Sequence, residues 1–128
     1  MIITNNIAYV SLKAIICKDK RTGIVACDSC SNACDTGGRK NLDKMAARLK
    51  EDGYNVVYTD LFPMPCNVQI DEVVDFDVDE VLILACDAAV NTFQTLFPSK
   101  KIIPGLDTMG IGAKDAKGNI FIIKKLNE

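Results

Sequence analysis

Histidine and tryptophan are both absent from this 128-residue chain. Without histidine no side chain has an ordinary pKa near neutrality, and the commonest general base and nitrogen ligand for metals are gone. Any metal site must therefore be built from thiolates or carboxylates. Aromatic residues are scarce, at 6%, and the formal net charge is −2. Nucleic-acid binding draws on a basic face and stacking rings, and neither is provided for. No apolar run approaches the roughly 18 residues that span a bilayer. The start, Met1 to Asn6, lacks the basic residues of a signal peptide. These absences predict a cytoplasmic protein with no membrane partner and no nucleic-acid partner.

Apolar residues make up 48% of the chain, enough to bury a core, and residues 1–128 read as a single cysteine-rich domain. In a reducing compartment six cysteines read as ligands or reactive thiols before disulfides. Three of them fall in the stretch Cys27-Asp28-Ser29-Cys30-Ser31-Asn32-Ala33-Cys34. An apolar run, Ile24 to Ala26, leads into it, and an amphipathic pattern, Arg39 to Asp52, leads out. The cysteines thus lie on a strand-to-helix loop. Thiolates are soft ligands that select zinc, copper(I) or iron–sulfur clusters. A C-x2-C-x3-C loop can aim three of them at one point, and a fourth ligand must come from elsewhere.

Along the chain, Ile3, Ile7, Val10 and Ala14 recur at helical spacing and predict an N-terminal helix, with a strand over Ile7–Leu12 as the rival. Leu42, Met45, Ala46 and Leu49 form the apolar stripe of a helix that ends at Gly53. Tyr54–Leu61 reads as a strand, Phe62 to Cys66 as a loop broken by Pro63 and Pro65, and Val68–Val74 as a short helix. Asp71, Glu72, Asp75, Asp77, Asp79 and Glu80 read as a solvated acidic face, or else as a cation site. Val81–Ala85 is an unbroken apolar strand of the kind buried in parallel sheets. A helix over Ala88–Leu96, a strand over Lys101–Ile103, a loop over Leu106–Gly112 and a last edge strand over Ile120–Lys124 complete the chain. This alternation predicts an α/β three-layer sandwich around a mostly parallel sheet, about four strands plus an edge strand.

In such a sheet, function collects at the carboxyl ends of the strands. Cys27 and Cys86 each end a strand, and Cys66 lies just past a third. The candidate metal ligands are therefore Cys27, Cys30, Cys34, Cys66 and Cys86, with Cys86 slightly favoured over Cys66 as the fourth. Cys17 falls in the predicted first helix and reads as a small buried hydrophobe. Thr36, Gly37 and Gly38 begin the next helix, whose amino-terminal amides favour an anionic thiolate cluster. They are candidate cofactor-binding residues.

Cys27-x2-Cys30-x3-Cys34-x-Thr36-Gly37-Gly38, Pro65-Cys66, Leu84-Ala85-Cys86-x4-Asn91-Thr92 and Pro104-Gly105-Leu106-Asp107-Thr108 with Gly110 together resemble one family. It is the cysteine-rich small subunit, or C-terminal domain, associated with methylenetetrahydrofolate reductase of acetogenic and related anaerobic bacteria. Asp28 and Asp87 stand where that family carries glycine. The resemblance implies an accessory module that is not catalytic alone, carrying an iron–sulfur cluster, [4Fe–4S], or zinc. It implies docking on a larger flavin-containing reductase subunit of one-carbon metabolism, and a homo-oligomer is an option for the isolated chain. Two other readings of the residues stand beside it. One is a four-cysteine zinc module that shapes an interaction surface. The other is a thiol redox protein using the Cys27–Cys30 pair.

Overall fold

The computed structural model describes residues 1–68 and 76–126. Strands β2 (Arg21–Cys27), β3 (Asn55–Phe62), β4 (Glu80–Leu84) and β5 (Lys101–Pro104) form a parallel sheet in the order β3-β2-β4-β5. The two central strands are the most apolar. Every residue of β4 is buried, as is every residue of β2 after Arg21. Such runs are stable only when both faces are covered.

Helices cover both. On one face, α1 (Tyr9–Ile15) and α3 (Gly38–Glu51) pack Leu12, Leu42, Ala46 and Leu49 against Ile24, Ala26, Leu82 and Leu84. On the other, α4 (Asp87–Leu96) packs Ala89, Val90 and Phe93 against Val25, Ile83 and Phe76. The chain is thus an α/β three-layer sandwich, as the alternation of apolar runs and stripes predicts. Among the described residues, no helix is long and apolar enough to cross a membrane.

A second sheet departs from the sequence reading. Strands β1 (Ile2–Asn6), β6 (Leu106–Lys114) and β7 (Ile120–Lys125) pair antiparallel in the order β1-β6-β7. The predicted N-terminal helix is therefore corrected: a strand comes first, and the helix begins only at Tyr9. The rival strand over Ile7–Leu12 is not formed either. Ile3 faces Gly110 and Thr4 faces Thr108, so β1 owes its conformation to residues a hundred positions away. The predicted loop over Leu106–Gly112 is also a strand. Its residues alternate buried and exposed, and its glycines sit where neighbours crowd. A side chain at Gly110 would strike Ile122 and the Lys124 carbonyl, and one at Gly112 would strike Ile3 and Phe121. The last strand is an edge strand as expected, but of this second sheet.

Two further readings change. Cys17 lies beyond α1 and is half-buried, outside both cores. Its amide donates to Glu80 Oε1 at 2.9 Å. Glu80 itself is buried rather than on a solvated acidic face, whereas Asp77 and Asp79 are paired with Arg21. Asp71, Glu72, Asp75 and most of the predicted helix Val68–Val74 lie outside the described residues.

Candidate thiolate site

Strand order fixes where the site lies. From β2 the chain crosses through α3 on one face to β3; from β4 it crosses through α4 on the opposite face to β5. The connections leave neighbouring strands in opposite directions, so the loops after β2 and β4 part and leave a crevice at the carboxyl end. Open α/β sheets place ligands at such switch points. Cys27 is the last residue of β2, and Cys86 caps α4 just after β4. Ala26 and Leu84 are paired across these two strands, so the two cysteines follow adjacent ladder positions.

The remaining thiols are brought in by loops. The chain after Cys27 makes the one-turn helix α2 (Cys30–Ala33) before α3 begins. Asp35 takes a left-handed φ of 55°, and the Ser31 carbonyl accepts the amides of both Thr36 and Gly37, turning the chain sharply. Gly37 is required by close approach. A side chain there would come within 2.8 Å of the Cys27 carbonyl and of Ser31 Cβ. On the far side, Cys66 sits in a 3-10 turn, Pro65–Asn67, directly after β3. Thr92 Oγ1 of α4 donates to the Cys66 carbonyl at 3.0 Å, which holds this turn against the helix that Cys86 caps.

Burial pushes the Cys66 thiol above its ordinary pKa, and the thiolates of Cys86, Cys27 and Cys30, in that order, push it further. Cys66 is therefore influenced by cysteines from two other chain segments. Cys27 and Cys86 are buried, Cys30 is half-buried and Cys66 is exposed. The Ser29 amide donates to Cys27 Sγ at 3.3 Å. Cys34, the third cysteine of the loop, turns aside to β1, where its Sγ donates to the Ile2 carbonyl at 3.8 Å. Among the described residues, no three cysteine, aspartate or glutamate side chains are set closely enough to hold a single metal ion. The thiols lie at the carboxyl end of the sheet without meeting at one point.

The second sheet walls this region. The Asp87 amide donates to Thr108 Oγ1 of β6 at 2.9 Å, and Lys114 Nζ donates to the Ala33 carbonyl at 3.2 Å. A cavity of about 250 Å³ opens beside Cys86, lined by Ile2, Asp87, Ala88, Thr108 and Leu126. One polar group here has no partner: Ser31, 1% exposed and set between Cys30 and Cys34, has an Oγ with no hydrogen bond. An orphaned buried hydroxyl carries a desolvation cost unless something accepts its proton. Sequence reading passes over Ser31, and its place two positions before the end of a cysteine-rich turn gives little signal.

Thr36, Gly37 and Gly38 serve the turn. Thr36 Oγ1 is 2.7 Å from Thr4 Oγ1 and donates to the Ser31 carbonyl at 3.1 Å. It borders a separate cavity of about 280 Å³ with Tyr9, Asn41, Arg48 and Leu84. That cavity opens on the α3 side of the sheet, whereas Cys27 packs in the core on the α4 side. Gly38 opens α3 with φ of 78°. Comparison with protein-family models, curated proteins and solved structures finds no match to this chain.

Proposed function

We propose that this chain is a cofactor-carrying accessory module whose crevice thiolates bind an iron–sulfur cluster. The observation that carries the reading is the convergence of Cys27, Cys30, Cys66 and Cys86 from three chain segments on the sheet's switch point. A disulfide or a lone reactive cysteine needs no such gathering. The donor set is all sulfur, which suits iron–sulfur clusters and zinc alike. Two features favour the cluster. A [4Fe–4S] cube spreads its ligand sulfurs to roughly 6 Å, whereas a four-thiolate zinc ion draws them to roughly 4 Å. Thiols that do not meet closely enough for a single ion suit the larger group. The orphaned Ser31 hydroxyl and the amide already donating to Cys27 Sγ suit a cofactor rich in sulfur acceptors.

Cys27, Cys30, Cys66 and Cys86 would supply the four ligands, and Cys34 would remain outside. The cluster's chemistry is one-electron transfer, so the module passes electrons to or from a partner rather than transforming a substrate. The motif resemblance supports a flavin-containing reductase of the methylenetetrahydrofolate type as that partner. The thiol redox reading is less well served. The Cys66 thiol is held neutral rather than activated, and a Cys27–Cys30 couple does not require Cys66 and Cys86 beside it.

The test is anaerobic purification followed by quantification of iron, acid-labile sulfide and zinc per chain. Iron and sulfide in equal amounts, with a brown protein, are expected. Stoichiometric zinc without sulfide would replace the cluster by the zinc module, and a metal-free chain that resists reconstitution would overturn both.

A further inference from the structure

The second sheet ends in an open edge. Among the described residues, strand β7 pairs with β6 on one side only, and all six of its residues are exposed. Four of them, Ile120, Phe121, Ile122 and Ile123, are large and apolar, from 39% to 75% exposed. Met109 and Ile111 of β6 extend the patch. Edge strands are ordinarily protected by proline, an inward-facing charge or shortness. Lys124, Lys125 and the register shift at Ile123 guard the end of β7, whereas Ile120 to Ile122 carry neither proline nor charge.

The backbone shows what the edge offers. Gly112 faces Ile122 across the β6–β7 ladder. The Gly112 amide donates to the Met1 carbonyl and its own carbonyl accepts from the Met1 amino group, both at 2.9 Å. Both polar groups of Gly112 thus point toward β1 and away from β7. In an antiparallel ladder, residues opposite one another alternate between pairs that exchange hydrogen bonds and pairs that turn outward. Ile122 therefore presents its N–H and C=O to the open edge, and Ile120, two residues earlier and opposite Lys114, does the same.

We propose that β7 pairs antiparallel with β7 of a second copy of this chain, about a two-fold axis through Phe121. In that register Ile120 of one copy exchanges backbone hydrogen bonds with Ile122 of the other, and the symmetry repeats the exchange. The four outward-facing groups of Ile120 and Ile122 in each copy are then satisfied. Phe121 lies opposite its own counterpart in a narrow, non-hydrogen-bonded pair, where cross-strand side chains come closest. Lys124 and Lys125 fall at opposite ends of the joint, whereas a parallel pairing would set them side by side. The two three-stranded sheets become one of six strands. Such isologous pairing closes after two copies and leaves no further edge of this kind.

The size of the patch matches a weak dimer. Taking roughly 200 Å² for a fully exposed side chain of this class, the β7 residues alone expose about 400 Å² per copy. With Met109 and Ile111 the exposed apolar area of two copies is about 800 to 1,200 Å², an upper bound on what edge pairing buries and at or below the lower limit for a specific interface. Association should therefore depend on concentration. The inference is independent of what the thiols bind.

Sedimentation velocity of the reduced protein over a wide concentration range tests it. The mass should rise from 14.0 kDa toward twice that value as concentration increases into the high micromolar range. Phe121→Lys sets two like charges on the axis, and the variant should stay monomeric with an unchanged circular dichroism spectrum. Ile122→Pro deletes only an outward-facing N–H, the kind of position at which an edge strand accepts proline. It should weaken the dimer at least as much as Met109→Lys, which lies off the axis. A wild-type chain that remains at 14.0 kDa throughout would overturn the proposal and assign the edge to a different partner. A dimer undiminished in both β7 variants would overturn it as well, by placing the interface elsewhere.

Discussion

The two ends of the parallel sheet are built from different chemistry. At the amino ends of the strands, charge meets charge. The Arg21 guanidinium binds Asp77 and Asp79, and Asp79 is held below the usual carboxylate range chiefly by its hydrogen bond from Arg21. Buried Glu80 accepts from Thr22 Oγ1 at 3.0 Å and from the Cys17 amide, with Lys101 Nζ 3.8 Å from its other oxygen. These contacts join α1, β2, β4 and β5. At the carboxyl ends lie Cys27, Cys66 and Cys86, and the buried Ser31 hydroxyl has no hydrogen-bond partner. Each end keeps one buried polar atom without a hydrogen bond, but Glu80 Oε2 at the amino end has the Lys101 ammonium 3.8 Å away, whereas Ser31 Oγ at the carboxyl end has no ion-pair partner. The amino end is tied by charge, and the carboxyl end gathers the cysteines on which the proposed function rests.

Four substitutions or titrations can break or sharpen that contrast. The largest effect on stability is expected at the amino end. Glu80→Ala strips the buried Thr22 hydroxyl and the Cys17 amide of their acceptor and should cost about 3 kcal/mol in urea denaturation. Metal bound after anaerobic purification should not change; if it fell while stability held, the division between the two ends would be wrong. Gly38→Ala comes next. It forces a side chain at φ of 78° into Asn32 Oδ1, at a cost of about 1–2 kcal/mol. Because the strain falls within the cysteine turn, it should also lower metal content.

A smaller effect concerns reactivity. Cys66 is exposed, yet its thiol should be alkylated more slowly than a free cysteine at neutral pH, with its pH midpoint displaced upward. The sign follows from the neutral form being favoured in the folded state. The associated stability is present below the unfolded thiol's pKa and is lost as pH rises through the folded one. Cys86→Ser removes the thiol with the largest charge effect on Cys66 and should bring the midpoint part of the way down, since burial is the larger cause. A normal midpoint in the reduced protein would mean that the thiols do not face one another. The smallest effect belongs to Asp79→Asn. Its depressed pKa gives stability above the unfolded carboxylate value that fades as pH falls through the folded one, but the pair is exposed and screened. Thermal unfolding should shift only slightly, and only above that pH window.

The parallel sheet was legible because its strands are continuous apolar runs and its helices carry single stripes. Val81 to Ala85 and the stripe through Leu42, Ala46 and Leu49 depend on local pattern, and local pattern is what sequence displays. Strand β1 was not legible. Ile3, Ile7, Val10 and Ala14 happen to share helical spacing, but Ile3 and Thr4 are claimed by β6, and Val10 is 70% exposed. Strand β6 was hidden by its glycines, which mark close neighbours rather than a loop, although its period of two was there to read. At the site, the positions of Cys27, Cys66 and Cys86 followed from strand ends alone. The diversion of Cys34 toward β1 could not, because it depends on the sheet that went unrecognised.

The central claim is that thiols from separate segments form one site. It is tested most directly by replacing Cys27, Cys30, Cys66 and Cys86 by serine one at a time. Bound metal per chain is then measured after anaerobic purification, with circular dichroism to confirm the fold. Each variant should lose most of its metal, while Cys17→Ser and Cys34→Ser keep theirs. If the Cys66 and Cys86 variants retain a full complement, the thiols are gathered but do not act together, and the account is contradicted.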